Sequence, residues 1–209
     1  MADLDGLTKA IEAGDRTMAV ALTRAAIDDG LDPATILASM TDAMTIVGGR
    51  FQRDEIYVPE MLIAARAMKE SMAILEPVLV AADLRPEVTA VIGTVKGDLH
   101  DIGKNLIGMM WKGANFEVVD LGTNVPPERF VEAAREHNAR LVGVSALLTT
   151  TMVGMKDVVD AVRAAGLTGT KVMVGGAPVT AEYAKQIGAD GYAGDAGSAT
   201  DVARALLRA

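Results

Sequence analysis

Asp98, His100 and Gly103 lie in the run Val95-Lys96-Gly97-Asp98-Leu99-His100-Asp101-Ile102-Gly103, spaced as Asp-x-His-x-x-Gly. That combination suits metal coordination by a single imidazole. A ring nitrogen ligates a metal as neutral imidazole, and the tautomer is fixed when the other nitrogen donates to an acceptor. Asp98, two residues earlier, is placed to be that acceptor, orienting the ring and raising its basicity. Gly103 has no side chain, so a bulky flat ligand and the backbone can approach closely at the helix start. A loop histidine that merely caps the following helix fits the same residues, and the pattern alone leaves both readings open.

These residues need an element on each side to hold them. Before them stands the apolar, β-like run Val88-Thr89-Ala90-Val91-Ile92-Gly93, and after them an amphipathic helix. A strand, a glycine-bearing loop and a helix form the ligand-binding corner of an open α/β sheet. The same alternation continues downstream. Strands are predicted at Thr89–Gly93, Glu117–Asp120, Leu141–Ser145, Lys171–Val174 and Gly191–Ala193. Helices are predicted at Ile102–Lys112, Pro127–His137, Met152–Ala165, Thr180–Ile187 and Ala199–Leu207. Five βα units of this kind specify a five-stranded, doubly wound parallel sheet of flavodoxin-like type. Ligands of such sheets lie outside the carboxyl ends of the strands. His100 follows the first strand there, Ser145 closes the third and Gly175-Gly176 follow the fourth, so topology gathers residues that are distant in sequence. Taken singly, Ser145 is equally a strand-end hydroxyl satisfied by backbone, and Gly175-Gly176 an ordinary turn.

Residues 1–81 read as helices only. The first runs from Leu4 to Ala13, and Asp15 is the expected N-cap of a second that ends at Asp29 before Gly30. Pro33 opens a third, reaching about Phe51, with Ile36, Leu37, Met40, Met44 and Val47 on one face. Pro59 opens a fourth, reaching about Ala81, with Leu62, Ala65, Met68, Met72 and Leu75 as its apolar face. Pro77 predicts a kink or stop near Glu76. Four helices with short turns make a bundle, which by itself is compatible with dimerisation or partner docking. The polar stretch 82–87 reads as a linker, giving a helical domain at 1–81 and an α/β domain at 88–209.

Composition narrows the function. Of 209 residues half are apolar but only 3% aromatic, so the core is built from Ala, Val, Ile, Leu and Met. The 12 methionines read as adaptable core filler. A net charge of −8 argues against nucleic acid, whose phosphates require a basic face. There is no cysteine, which excludes disulfides and thiolate metal sites. The start Met-Ala-Asp-Leu-Asp lacks the basic and apolar blocks of a signal peptide. No run approaches the roughly 20 apolar residues that span a bilayer. The expectation is a cytoplasmic protein with no membrane partner.

The chain resembles the corrinoid proteins of anaerobic methyltransferase systems and the cobalamin-binding module of cobalamin-dependent methionine synthase. The resemblance spans nearly the whole sequence. It is carried by Tyr57-Val58-Pro59-Glu60-Met61-Leu62 with Ala64-Ala65-Arg66-Ala67-Met68-Lys69, and by Gly97-Asp98-Leu99-His100-Asp101-Ile102-Gly103-Lys104-Asn105. It continues through Val118-Val119-Asp120-Leu121-Gly122, Ser145-Ala146-Leu147-Leu148-Thr149 and Gly175-Gly176-Ala177-Pro178. The resemblance implies cobalamin (methylcobalamin or a Co(I) corrinoid) bound base-off, with His100 as the lower cobalt ligand and Asp98 hydrogen-bonded to it. Thr151 stands where related proteins use a serine to extend that relay. Gly97, Asp101, Ile102 and Gly103 would belong to the cofactor loop. Ser145 and Leu147 would line the channel for the displaced nucleotide tail, with room left by Gly175 and Gly176, and Thr149 would be a further cofactor-binding residue. Tyr57, Val58, Met61 and Met68 would form an apolar lid on a helical cap that swings aside for partners.

The implied function is a methyl carrier. Its partners would be a substrate-specific methyltransferase, a second methyltransferase that passes the methyl group to tetrahydrofolate or a thiol, and a reductive activase. The donor, whether methanol, a methylamine, an aryl methyl ether or a betaine, is selected by the partner enzyme. Serving several partners in turn suits a monomer or loose dimer. Three other readings compete. A cobalamin subunit of a radical mutase shares the loop but normally lacks the Tyr57–Leu62 bundle segment. A cobalamin-based light sensor needs a DNA-binding segment for which this acidic chain has no spare length. A receiver module needs an Asp where Ser145 stands. His137 reads as an exposed helix end, Trp111 as core beside Met110 and Phe116, and Glu12, Asp15, Asp28 and Asp29 as a solvated acidic face. No activated nucleophile set, phosphate-binding Gly-x-x-x-x-Gly-Lys loop or zinc constellation occurs.

Overall fold

Aspartates open three of the four N-terminal helices in the computed structural model, which describes residues 3–84, 86 and 88–208. Asp3, Asp15 and Asp32 each accept a hydrogen bond from a backbone amide three residues on, at 2.7, 3.0 and 3.1 Å. These caps satisfy otherwise orphaned first-turn amides of α1 (Leu4–Glu12), α2 (Arg16–Asp28) and α3 (Pro33–Gln52). Asp15 therefore has a specific capping role rather than being simply part of a solvated face. In α4 (Val58–Ala81) the backbone amide of Tyr57 donates instead to Glu60. The buried face of α3 is the expected one, with Ile36, Met40, Met44 and Val47 inside.

α4 departs from expectation twice. It runs through Pro77 without stopping, and the backbone amide of Ala82 bonds to Val78 O and Leu79 O, closing the last turn. Pro77 has no amide to donate to Ala73 O, a single missing bond that the 24-residue helix carries without ending. Its buried residues are Met61, Ala64, Ala67, Met68, Ser71, Leu75 and Leu79, whereas Leu62 is exposed. The helix is apolar nearly all round, so its hydrophobic pattern does not single out one face. Of the expected lid residues, Met61 and Met68 are buried and offer no surface, while Tyr57 is 68% exposed and Val58 is half-buried.

The chain forms two compact units. One takes the residues through Pro86 together with Gly113–Asn115; the other takes those up to Lys112 and from Phe116 onward. Arg85 and Glu87, two of the residues of the expected linker, lie outside the described residues.

The second unit alternates strands and helices: β1 (Val88–Thr94), α5 (Ile102–Gly113), β2 (Phe116–Asp120), α6 (Pro127–Glu136), β3 (Leu141–Ser145), α7 (Gly154–Ala164), β4 (Lys171–Gly175), α8 (Ala181–Ile187), β5 (Gly191–Ala193) and α9 (Ala196–Arg208). All strands are parallel, in the order β2-β1-β3-β4-β5. The expected sheet is present, with element ends shifted by up to three residues. Strands buried on both faces must be apolar throughout, and β3 accordingly reads Leu-Val-Gly-Val-Ser, with its first four residues buried.

Trp111 on α5 is fully buried against Gly143, where a Cβ would stand 2.6 Å from the indole, and it shares a tilted ring contact with Phe116. Its Nε1–H donates to Ala199 O of α9 at 3.4 Å. Phe130 of α6 fills the corresponding space over Gly93. Because β1 lies between β2 and β3, the chain leaves β1 in one direction and returns on its other side. The loops after β1 and β3 therefore meet at the sheet's switch point, where such folds bind ligands.

Candidate cobalt-ligand site

Gly97 and Asp98 leave β1 through a turn in which Gly97 has φ +83°, a conformation that L side chains rarely adopt. Asp98 is completely buried, yet all its carboxylate contacts are donors. Oδ1 accepts the His100 amide at 3.0 Å and faces His100 Nδ1 at 2.7 Å. Oδ2 accepts the Leu147 amide at 2.8 Å and the Thr151 hydroxyl at 2.6 Å. Burial by itself would raise the Asp98 pKa. The Thr151 hydroxyl, the Leu147 and His100 amides and the His100 ring outweigh it and hold the carboxyl well below its ordinary value. Asp98 is therefore an anion and can only accept, so in a neutral imidazole it selects the tautomer with the proton on Nδ1 and the lone pair on Nε2. The His100 side chain is 51% exposed, leaving that nitrogen open at the sheet edge.

The loops after β1 and β3 and the helix starts that follow them carry exposed apolar side chains among polar ones. Leu99, Ile102, Leu147, Leu148 and Val153 are all exposed, Leu99 and Ile102 by nearly three-quarters. A Cβ at Gly103 would meet nothing within 4 Å, so the start of α5 is open to a ligand. No three His, Cys, Asp or Glu side chains converge as a metal site among the described residues. One imidazole alone is a poor host for a bare ion. It suits a metal whose other positions are already filled by a planar macrocycle, and the exposed apolar side chains suit the flat underside of such a ring. The residues present fit a cobalamin.

The remaining expected site residues are placed unevenly. Thr151 joins the Asp98 carboxylate as expected, but Leu147 enters through its backbone amide rather than its side chain. Ser145 lies at the end of β3 opposite Thr94, and its carbonyl accepts from Val95 N at 3.0 Å. Thr149 is exposed on the following loop. Asp101 turns toward α5, accepting from Asn105 Nδ2 at 3.0 Å. Gly175 and Gly176 have an internal reason to be glycine. A Cβ on Gly175 would stand 2.7 Å from Ala193 O, and one on Gly176 would stand 1.9 Å from Ala146 O. Close backbone approach between neighbouring strand ends is what the pair permits. His137 caps the end of α6, half-exposed, with Glu136 Oε2 at 4.0 Å from its Nε2 but in no group of three potential metal ligands among the described residues.

Four residues of the neighbourhood carried no role in the sequence reading. Lys104, 2% exposed, directs its ammonium at both oxygens of Asp120, 2.7 and 2.6 Å, and at Asn105 Oδ1, 2.7 Å. Asp120 also accepts the Gly122 amide at 2.8 Å. A lysine at a helix start directly after Gly103 and an aspartate closing β2 were visible signals, because both fall on the sheet's carboxyl edge. Thr94 donates its hydroxyl to His100 O, and Asn124 bonds twice to the Gly97-Asp98 segment.

With this geometry in view, the comparisons with known proteins are specific. Residues 88–207 match the B12 binding domain family, and residues 3–76 match a second family also described as B12 binding domain. A corrinoid protein of Desulfitobacterium hafniense is 38% identical over 212 residues, covering 99% of this chain and 98% of its own length. A dimethylamine corrinoid protein of Methanosarcina mazei is 41% identical over 180 residues, covering 85% of this chain and 84% of its own. Among solved structures, a chain of the methanol:cobalamin methyltransferase complex of Methanosarcina barkeri superposes with a TM-score of 0.86 at 28% identity, covering 98% of this chain and 79% of that one. The chain belongs to the cobalamin-binding corrinoid proteins of methyltransferase systems, and its cofactor is a cobalamin.

Proposed function

We propose that the chain is a methyl carrier that holds cobalamin base-off, with His100 as the lower axial ligand. The observation that supports it is the Asp98–His100 contact of 2.7 Å, which ties up one ring nitrogen and leaves the other at an open sheet edge that carries exposed apolar side chains. When bound, the cofactor supplies a cobalt centre able to accept and release a methyl group. His100 would be the residue that holds the cobalt. Asp98 keeps the ring oriented and its Nδ1 protonated, and Thr151 holds Asp98 in turn. The exposed side chains of Leu99, Ile102 and Leu147 would exclude water from the bound cofactor. Ser145, Thr149, Gly175 and Gly176 mark the side of the sheet edge along which the displaced nucleotide tail is proposed to run.

The partners in this reading are a substrate-specific methyltransferase, a second methyltransferase and a reductive activase. In structural superpositions identity is 34% to a monomethylamine corrinoid protein and 28% to the chain of the methanol complex, and several of the sequence relatives are dimethylamine corrinoid proteins, which favours a methylamine as donor. The test has two parts. Electron paramagnetic resonance of the Co(II) holoprotein should show nitrogen superhyperfine splitting that changes when protein histidine is labelled with nitrogen-15. A labelled methyl group loaded on the reduced holoprotein should pass to tetrahydrofolate or a thiol only when the second methyltransferase is added. An unchanged splitting would remove His100 as ligand, and absence of transfer would remove the carrier function.

A further inference from the structure

We propose that Thr94 and Asn124, both outside the Asp-x-His-x-x-Gly pattern, are positioning residues that fix the direction of the His100 imidazole by clamping the backbone on either side of it. The inference rests on reading His100 as the axial ligand. The ring is half-exposed, and its hydrogen bond is to Asp98, so its aim depends on where the backbone of 97–100 lies. That backbone is neither helix nor strand and includes Gly97 at φ +83°, the residue type with the most conformations to lose.

The two clamps are complementary. Asn124 belongs to the loop after β2. Its Oδ1 accepts the Gly97 amide at 2.8 Å, and its own backbone amide donates to Asp98 O at 2.9 Å. Asn124 holds φ +56°, a left-handed conformation that asparagine tolerates better than most residues. That conformation lets its side chain and its amide reach one segment together. Thr94 ends β1, is completely buried, and donates its hydroxyl to the carbonyl of His100 itself at 2.9 Å. The same residue bonds through its backbone to Gly122 O and Val125 N, so the two clamps share the loop after β2 as an anchor. The four bonds to the Asp98 carboxylate fix that side chain; Thr94 and Asn124 fix the main chain from which Asp98 and His100 project. Preorganisation of a ligating side chain by surrounding hydrogen bonds is worth as much as the ligand's identity in many metal sites.

The test uses the full-length chain with paired substitutions. Thr94→Val keeps the shape and deletes the donor, and Thr94→Ser restores it. Asn124→Gly keeps the left-handed backbone and its amide but deletes the acceptor for Gly97, and Asn124→Asp restores an acceptor. Two readouts are taken beside thermal stability: the His100 ring signals in the nitrogen-15 NMR spectrum of the cobalamin-free protein, and the cobalamin dissociation constant with the Co(II) nitrogen splitting. Thr94→Val and Asn124→Gly should shift the ring signals and weaken binding about tenfold, the low end for such outer partners. The Ser and Asp variants should return toward wild type. Ring signals and affinity equal to wild type in Thr94→Val and Asn124→Gly would overturn the proposal. A fall in stability with unmoved ring signals would also overturn it, leaving a merely structural role. If wild type itself lacks the nitrogen splitting, the axial-ligand reading fails instead, and the cobalamin-free ring signals still decide whether the clamps act.

Discussion

Oδ1 of Asp98 lies 2.7 Å from Nδ1 of His100, and the same carboxylate uses its other oxygen to accept from the loop after β3. One buried anion thus orients the ligand and ties together the two loops that diverge at the switch point. Asp98→Asn cannot serve both ends. If its oxygen faces His100, its NH2 group meets the Leu147 amide donor, and if reversed, it meets the imidazole N–H. Leaving a buried donor unsatisfied costs about 1–3 kcal/mol, and losing the partner of a metal-ligating imidazole costs about 10–100-fold in affinity. Urea unfolding of the cobalamin-free variant and cobalamin titration should show both losses together. Wild-type values in both would remove Asp98 from the site.

Acid stability follows from the same carboxyl. Its pKa is held below the ordinary 3.8 in the folded protein, so the unfolded chain takes up the proton first as pH falls. The stabilisation is therefore complete above about pH 5 and is lost progressively below it, toward the depressed folded value. Cobalamin-free wild type should lose stability between about pH 5 and pH 3 more steeply than Asp98→Asn, whose side chain takes up no proton there. Urea midpoints measured across that range would give parallel lines if Asp98 made no such contribution.

The parts of this molecule legible in its sequence were those set by period and topology. The five strands and the gathering of His100, Ser145 and Gly175 at one edge follow from alternating apolar runs and the crossover rule. The pairing of Asp98 with His100 is local, two residues apart, and reads directly. Asn124 bonds to Gly97 across 27 residues and Thr151 to Asp98 across 53. Contacts of that separation are fixed by which loops meet, and only the resemblance to corrinoid proteins singled out Thr151. Of the expected α4 face, Met68 and Leu75 are buried while Leu62 is exposed, because a helix rich in Ala, Met, Leu and Val on every side carries little phase information. The need for glycine at 175 and 176 is also set by tertiary neighbours, since a Cβ there would meet the carbonyls of Ala193 and Ala146, contacts that no local pattern displays.

Thr151 distinguishes a hydroxyl requirement from a shape requirement. Its Oγ1 donates to Asp98 at 2.6 Å. Thr151→Ser keeps that donor and should leave cobalamin affinity within about twofold of wild type. Thr151→Val keeps the shape and deletes the donor to a charged acceptor, for which about 1.5–3 kcal/mol is typical. It should also raise the Asp98 pKa, moving the loss of acid stability to higher pH. The two variants compared by acid and urea unfolding check this, and the opposite ranking would make the methyl, not the hydroxyl, the operative group.

Lys104 and Asp120 form an ion pair of unequal burial, 2% against 42% exposed at the side chain, and that inequality predicts which partner is costlier to lose. Asp120→Ala leaves the ammonium buried with only Asn105 Oδ1 as acceptor. An uncompensated buried charge of this kind costs about 3–5 kcal/mol, the lower end applying where water can reach the site through the exposed partner. Lys104→Met removes the buried charge, fills much of its volume with apolar atoms, and leaves a carboxylate that water can solvate and the Gly122 amide still satisfies. It should cost about 1 kcal/mol or less, in line with the replacement of buried pairs by apolar residues. Because Lys104 begins the helix after the His100 loop, Asp120→Ala should also lower cobalamin affinity, whereas Lys104→Met should lower it less. Urea unfolding of both variants and of the double variant measures the coupling. A larger loss for Lys104→Met than for Asp120→Ala would mean that the lysine's contribution is not its buried charge but a packing or backbone constraint that methionine fails to reproduce.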